Sequence, residues 1–305
     1  MQNTKYLIVG TGGVGGSIAA MLSLNGNDVT CIARGAHLET MRRNGLRFIS
    51  GLKGCQTISI KSCTAEEYND KADVIFVSVK AYSLDSVIDL LRKSSNGKTV
   101  IIPLLNIFGT GQRIKQLLPE HDNVLAGCIY IVAYVSAPGE ITQMGKTFRV
   151  VFGEMKGTAV DVEMLQTVRD DLISSGVKVT VSEDIDCDTF IKYAFISAMA
   201  CTGAYFDVPM REVQKEGEIR KVFTGLSSES CRIGKAMGMD IPDNLTEENL
   251  KIIDGLDPGS TASMQKDLAN GHVSEIDGLL FEFIRLAEKY NIDVPTYRKI
   301  VKKFT

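Results

Sequence analysis

A few residues of this 305-residue chain could do chemistry together. Lys192 lies in Asp188–Ala200, where nearly everything after it is apolar or small. Burial without a partner disfavours a charged lysine and moves it towards the range useful for proton transfer. The bland alternative is a lysine at a helix edge that points to water. A lysine in this role suits a reaction in which negative charge builds on a carbonyl oxygen, because it is both a cation and a proton donor. A carboxylate such as Glu275 beside it would favour the ammonium form and fix its direction. Glu275 follows Ser274, which with Asp277 resembles a capping box. That leaves Glu275 either as an ordinary first-turn acid or as a site residue. The stretch Asp257–Asp267 enters a helix from turn residues, and its hydroxyls, Ser263 among them, could cap that helix or grip a carboxylate.

These groups need a cofactor to work on, and the start of the chain supplies the place for one. Gly10-Thr11-Gly12-Gly13-Val14-Gly15 follows the apolar run Tyr6–Val9 and precedes an apolar-periodic segment. Strand, glycine turn and helix in that order are the dinucleotide-binding fingerprint. Gly10 allows the tight turn, Gly12 leaves room for a pyrophosphate, Gly15 lets helix pack on strand, and Gly13 adds to the cradle. The helix N-terminus then holds the phosphates. The second strand, Asp28–Ala33, closes at Arg34. An acid at that position selects NAD, whereas an arginine meets the 2′-phosphate of NADP, so NADPH is the expected cofactor. Lys80 closes the apolar run Asp73–Val79, and Asn106 closes Thr99–Leu105. Both stand at carboxyl ends of strands, where open α/β sheets bind ligands. Alternatively Lys80 snorkels to solvent and Asn106 is a turn residue.

The elements that must position these residues fall into two regions. Residues 1–183 read as an α/β Rossmann-type dinucleotide-binding domain. Within it, residues 46–62 predict a β-hairpin insertion, and segments 124–135 and 147–153 predict an antiparallel ending to the sheet. Residues 184–305 show only helical periods, at about 185–205, 211–238, 246–254, 260–270, 274–291 and 295–304. They read as an all-α domain. Composition excludes several classes. A net charge of −3 gives no general attraction to nucleic acid. No run of about 18 apolar residues predicts a membrane span. Seven cysteines without C-x-x-C spacing or histidine pairing predict reduced thiols, a cytoplasmic location and no metal site. The residues leave the oligomeric state open and admit a homodimer.

Taken together, the motifs resemble those of the ketopantoate reductases (2-dehydropantoate 2-reductases) over essentially the whole chain. The matching pieces are the glycine turn, Arg34, Val77-Ser78-Val79-Lys80, Asn106, Lys192, Ser263-Met264-Gln265-Lys266-Asp267 and Glu275-Ile276-Asp277. The resemblance implies NADPH-dependent reduction of a 2-oxo acid to a 2-hydroxy acid, with substrate bound between the domains. It implies Lys192 as general acid, Glu275 as the group that binds substrate hydroxyls and orients the lysine, and Ser263 as the carboxylate holder. Asn106 and Lys80 would line the cofactor–substrate cleft. Several positions depart from the usual pattern: the family's Asn-Gly pair is Asn106-Ile107 here, and its Asn-Gly shortly after Glu275-Ile276-Asp277 is absent. Ile196 and Ala200 stand where the family usually has asparagine, and neither can hydrogen-bond a substrate. The competing readings are a related 2-oxo or hydroxy acid dehydrogenase with another substrate, and an NADP-binding sensor without catalysis.

Overall fold

The structure is a computed structural model that describes residues 4–158 and 160–305. It divides into two compact units. One runs to Leu105 and resumes over Gly109–Ile185; the other comprises Asn106–Phe108 and Asp186–Thr305.

The first unit is α/β. Its chain order is β1 (Lys5–Val9), α1 (Gly13–Leu24), β2 (Asp28–Ile32), α2 (Gly35–Asn44), β3 (Leu46–Ser50), β4 (Gly54–Ile58), β5 (Lys61–Cys63) and β6 (Val74–Val77). Then come α3 (Ile88–Ser94), β7 (Val100–Pro103), α4 (Thr110–Leu117), β8 (Ala126–Ala137), β9 (Glu140–Gly153), α5 (Val162–Ser174) and β10 (Lys178–Val181). The central sheet is parallel, in the order β5-β2-β1-β6-β7. Its central strands β1, β6 and β7 are apolar without alternation because both faces are covered. Along β1, Tyr6 and Ile8 enter one core while Leu7 and Val9 enter another. The same alternation sends Val74 and Phe76 of β6 one way and Ile75 and Val77 the other.

The antiparallel hairpin β8–β9 does not end this sheet. It belongs to a second sheet, ordered β10-β9-β3-β4, with β8 on β9. The predicted hairpin over 46–62 gives β3–β4, but β3 also pairs in parallel with β9, with Arg47 opposite Glu140. Residues 61–63 leave it to flank β2 in the first sheet. The packing explains the arrangement. Ile141 of β9 fills the space beside Gly16 of α1, so α1 is covered by the parallel sheet on one side and the second sheet on the other. Gly145–Thr147 lie unpaired between the Ile131–Phe148 and Val132–Met144 pairs, so β9 runs on through a bulge and starts at Glu140, earlier than the expected segment 147–153.

The second unit is all helical. It contains α6 (Ile185–Phe206), α7 (Met210–Val213), α8 (Glu218–Ala236), α9 (Leu245–Asp254) and α10 (Ser263–Ala269). A π-helical turn, Asp277–Phe281, leads into α11 (Glu282–Lys289), and α12 (Pro295–Val301) follows. Its core gathers around α6, with Phe190, Tyr193, Phe223, Phe283 and Tyr297 fully enclosed.

Candidate active site

In the first unit, the glycine turn has the geometry that a dinucleotide needs. Gly10 has φ +97°, and a Cβ there would stand 2.9 Å from Val79. A Cβ at Gly15 would meet the Gly10 carbonyl at 2.2 Å and Ser78 Oγ at 2.3 Å, so only glycine lets α1 approach the strands this closely. Around Gly12 nothing lies within 4 Å of a Cβ position, which leaves the open space a pyrophosphate requires. A Cβ at Gly13 would lie 2.3 Å from the Ala133 carbonyl, so β8 also requires glycine there. The turn is clamped on both sides. Thr11 Oγ1 donates to the Ile32 carbonyl at 2.9 Å, and Ser78 Oγ donates to the Gly10 carbonyl at 2.8 Å. No side chain caps α1, and no acid sits in its first turn. Its N-terminal N–H groups are thus aimed at an anion site without a competing carboxylate.

Arg34 is exposed and forms the N-cap of α2, immediately after β2. The first turn of α2 carries no acid either. An arginine at a helix N-terminus suits a phosphate in charge and in hydrogen-bond geometry. His37, one turn into α2, accepts a hydrogen bond at Nδ1 from the Gly139 N–H at 2.9 Å. Burial lowers its pKa below the usual histidine range, partly offset by the Thr11 backbone. Its neutral ring thereby ties the tip of β8–β9 to α2. Lys80 is half-buried three residues beyond β6, on the loop that Ser78 fastens to Gly10.

The remaining candidates lie in the second unit. Lys192 sits two turns into α6 and is 5% exposed. Its Nζ donates to Asn106 Oδ1 at 2.8 Å. Asn106 belongs to this unit, because Ile107 and Phe108 pack into the helical core. Phe108 meets Phe190 edge-on at 5.3 Å and lies over Tyr193 at 6.2 Å. Glu275, also 5% exposed, precedes the π turn. That turn abuts the chain neighbours of both partners of the lysine pair, Ile107 and Tyr193. Gly278 faces Ile107, whose Cδ1 lies 2.7 Å from where a Cβ would be, and its carbonyl accepts the Tyr193 hydroxyl. The Asn106, Lys192 and Glu275 segments are thus packed on one another.

Two sequence expectations are revised here. The Ser274–Asp277 capping box does not form: the turn has no side-chain cap, and Asp277 instead accepts both guanidinium nitrogens of Arg285 at 3.0 Å each. Ser263 does not cap α10; Ala262 is the N-cap, and Ser263 is the exposed first residue. Ile196 and Ala200 follow Lys192 by one and two turns on the same helical face, so that face is apolar. Tyr193 and Ser197, whose hydroxyls anchor the π turn, carry no local signal of this role. Their acceptors lie 85 and 82 residues away.

A phosphate-ready turn at the ends of parallel strands and a buried lysine held by an amide are parts of a nicotinamide-dependent oxidoreductase. The family profile described as ketopantoate reductase PanE/ApbA matches residues 6–157, and its C-terminal counterpart matches residues 184–304. The chain belongs to the ketopantoate reductase family. Among relatives, it is 29% identical over 296 residues to the uncharacterized oxidoreductase YkpB of Bacillus subtilis, covering 97% of this chain and 96% of that protein. It is 27% identical over 303 residues to the 2-dehydropantoate 2-reductase of Archaeoglobus fulgidus, covering 99% and 97%. In fold it resembles D-mandelate dehydrogenase in a ternary structure with NADH and anilino(oxo)acetate, with TM-score 0.87, 22% identity and coverage of 98% and 96%.

Proposed function

We propose that this protein reduces a 2-oxo acid to the 2-hydroxy acid with NADPH, and that 2-dehydropantoate is the first substrate to try. The observation that carries this reading is the buried Lys192 ammonium donating to Asn106 Oδ1 at 2.8 Å. Reduced nicotinamide supplies the hydride when bound. Gly10, Gly12 and Gly15 leave space for its pyrophosphate, and Arg34 suits a 2′-phosphate. Lys192 stabilises negative charge on the carbonyl oxygen and delivers the proton. Asn106 takes one of its hydrogens and fixes the direction of the others. Glu275 binds substrate hydroxyls and holds the ammonium in register, and Ser263 meets the carboxylate.

The test follows NADPH absorbance with 2-dehydropantoate and a panel of branched and aryl 2-oxo acids. Lys192→Ala should lose about 10²- to 10⁴-fold in kcat, the range of general acid catalysis. Tight NADPH binding with no turnover of any acid would instead make the protein a cofactor sensor. A second reading has its own observation. Ile196 and Ala200 make the face beyond Lys192 apolar, and the mandelate dehydrogenase relative carries an aryl oxo-acid analogue. On that reading phenylglyoxylate outcompetes 2-dehydropantoate in kcat/KM. NADH competing equally with NADPH would remove the role given to Arg34.

A further inference from the structure

The π turn Asp277–Phe281 begins two residues after Glu275. A π turn carries one more residue per turn than an α turn, and such turns recur at functional sites. Here two successive carbonyls of the turn are taken up by side chains of α6. Tyr193 Oη donates to the Gly278 carbonyl, and Ser197 Oγ donates to the Leu279 carbonyl at 2.5 Å. Cys201 Sγ approaches that second carbonyl at 3.4 Å. Tyr193, Ser197 and Cys201 follow one another at four-residue spacing, so they form one stripe of α6. Lys192, Ile196 and Ala200 form the neighbouring stripe. One helix thus presents the candidate proton donor along one line and the anchors of the Glu275 turn along the next.

Tyr193 meets all three segments of the site. It is adjacent to Lys192 in the chain. Its hydroxyl reaches Gly278, three residues past Glu275, and its ring lies over Phe108, two residues past Asn106. The ring is fixed from behind by Phe283 at 4.6 Å, which in turn stacks on Tyr297 at 4.8 Å. Tyr297 Oη bonds Ser197 Oγ at 2.8 Å and Ser230 Oγ at 2.9 Å, so the second anchor is held as firmly as the first. Burial raises the Tyr193 hydroxyl well above its ordinary pKa, which keeps it a donor.

We propose that Tyr193, supported by Ser197, is the positioning residue of this site: the two hydroxyls hold the π turn and thereby set Glu275 relative to Lys192 and Asn106. The inference rests on the proposed reduction, in which Glu275 orients the lysine. It assigns work to residues that the proposed reduction leaves without a role.

The experiment is a double-mutant cycle on the full chain, using NADPH and the 2-oxo acid that the wild type turns over best. Tyr193→Phe keeps the ring stack and removes one donor. It should lower kcat by about ten- to a hundredfold, the cost of small misplacement at a reacting centre. The KM for NADPH should stay unchanged, and the pH profile of kcat should move with the Glu275–Lys192 relation. The decisive comparison is with Glu275→Gln. If Tyr193 acts through Glu275, the double variant loses little more than Glu275→Gln alone. Ser197→Ala, run in the same cycle, should behave alike and serves if Tyr193→Phe does not fold. Fully additive losses, or a lowered Tm with kcat and pH profile unmoved, would overturn the inference and leave the reduction standing. A wild type inert towards every 2-oxo acid would overturn the reduction itself, and this inference with it.

Discussion

Lys192 and Asn106 form the shortest functional argument in the molecule. A buried ammonium has three hydrogens to place. Asn106 Oδ1 accepts one of them at 2.8 Å, across a separation of 86 residues. Replacing Asn106 with alanine leaves the buried lysine with that one hydrogen unassigned. Asn106→Ala should therefore reduce kcat by about tenfold or more, since each unmade hydrogen bond to a charged buried group costs about 1.5–3 kcal/mol. Asn106→Ser, too short to reach, should restore little of it. Steady-state kinetics on the two variants would check this, and wild-type kcat in Asn106→Ala would show that the amide does not set the lysine. The pairing also marks where sequence reading ends. Lysine at the start of an apolar run was legible as a candidate, and asparagine at a strand end was legible as a candidate. Their contact was not, because it depends on Ile107 and Phe108 packing into the helical unit rather than on either strand or helix pattern.

Elements carry the next layer of control. The tip of β8–β9 meets α2 through one titratable contact, the Gly139 N–H to His37 Nδ1. Burial depresses the histidine's folded pKa, so the fold prefers the neutral ring. As pH falls, the unfolded chain takes up this proton first, near the ordinary value of about 6.5. The stability that His37 contributes is thus fully present above about pH 6.5 and is lost as pH falls towards the depressed folded value. His37→Gln keeps an acceptor without titrating. Urea unfolding should show wild type losing more stability than His37→Gln on going from about pH 7.5 to about pH 5.5. Coincident pH curves would remove His37 from this role. The antiparallel pair itself was readable from the strand patterns at 124–135 and 147–153, yet its sheet was not. Strand patterns name a strand without naming its partner, and β9 finds β3 far back in the chain. The π turn escaped for a related reason. The apolar spacing over 274–291 fits an ordinary helix, and the extra residue becomes visible only when Tyr193 and Ser197 take the carbonyls. The strand, turn and helix around the glycines were readable because they lie within one short stretch, whereas the close approaches of Ser78 and Val79 to Gly10 and Gly15, and of Ala133 to Gly13, come from segments far along the chain.

At the scale of the whole molecule, the two units divide the work, and the division has a thermodynamic consequence. Every group expected to meet the phosphates, from Gly12 to Arg34, lies in the first unit, whereas Lys192, Asn106 and Glu275 lie in the second. The phosphate contacts should therefore stabilise the folded chain by linkage through the first unit. At NADPH near 100 times its Kd, the gain is about 2.7 kcal/mol. Arg34 is exposed and contributes little to the unliganded fold, so Arg34→Asp should leave the Tm of the free protein unchanged. Its carboxylate would repel a 2′-phosphate, and a Kd weakened about a hundredfold would cut the gain at the same NADPH concentration to about 0.4 kcal/mol. NADH, which presents a 2′-hydroxyl that a carboxylate can accept from, should stabilise Arg34→Asp at least as well as wild type. Melting curves with each cofactor, on wild type, Arg34→Asp and Lys192→Ala, separate the assignments. Lys192→Ala should keep the full NADPH shift while losing turnover. If Arg34→Asp kept that shift as well, the 2′-phosphate would have to be held elsewhere in the first unit, with half-buried Lys80 as the next cation to replace.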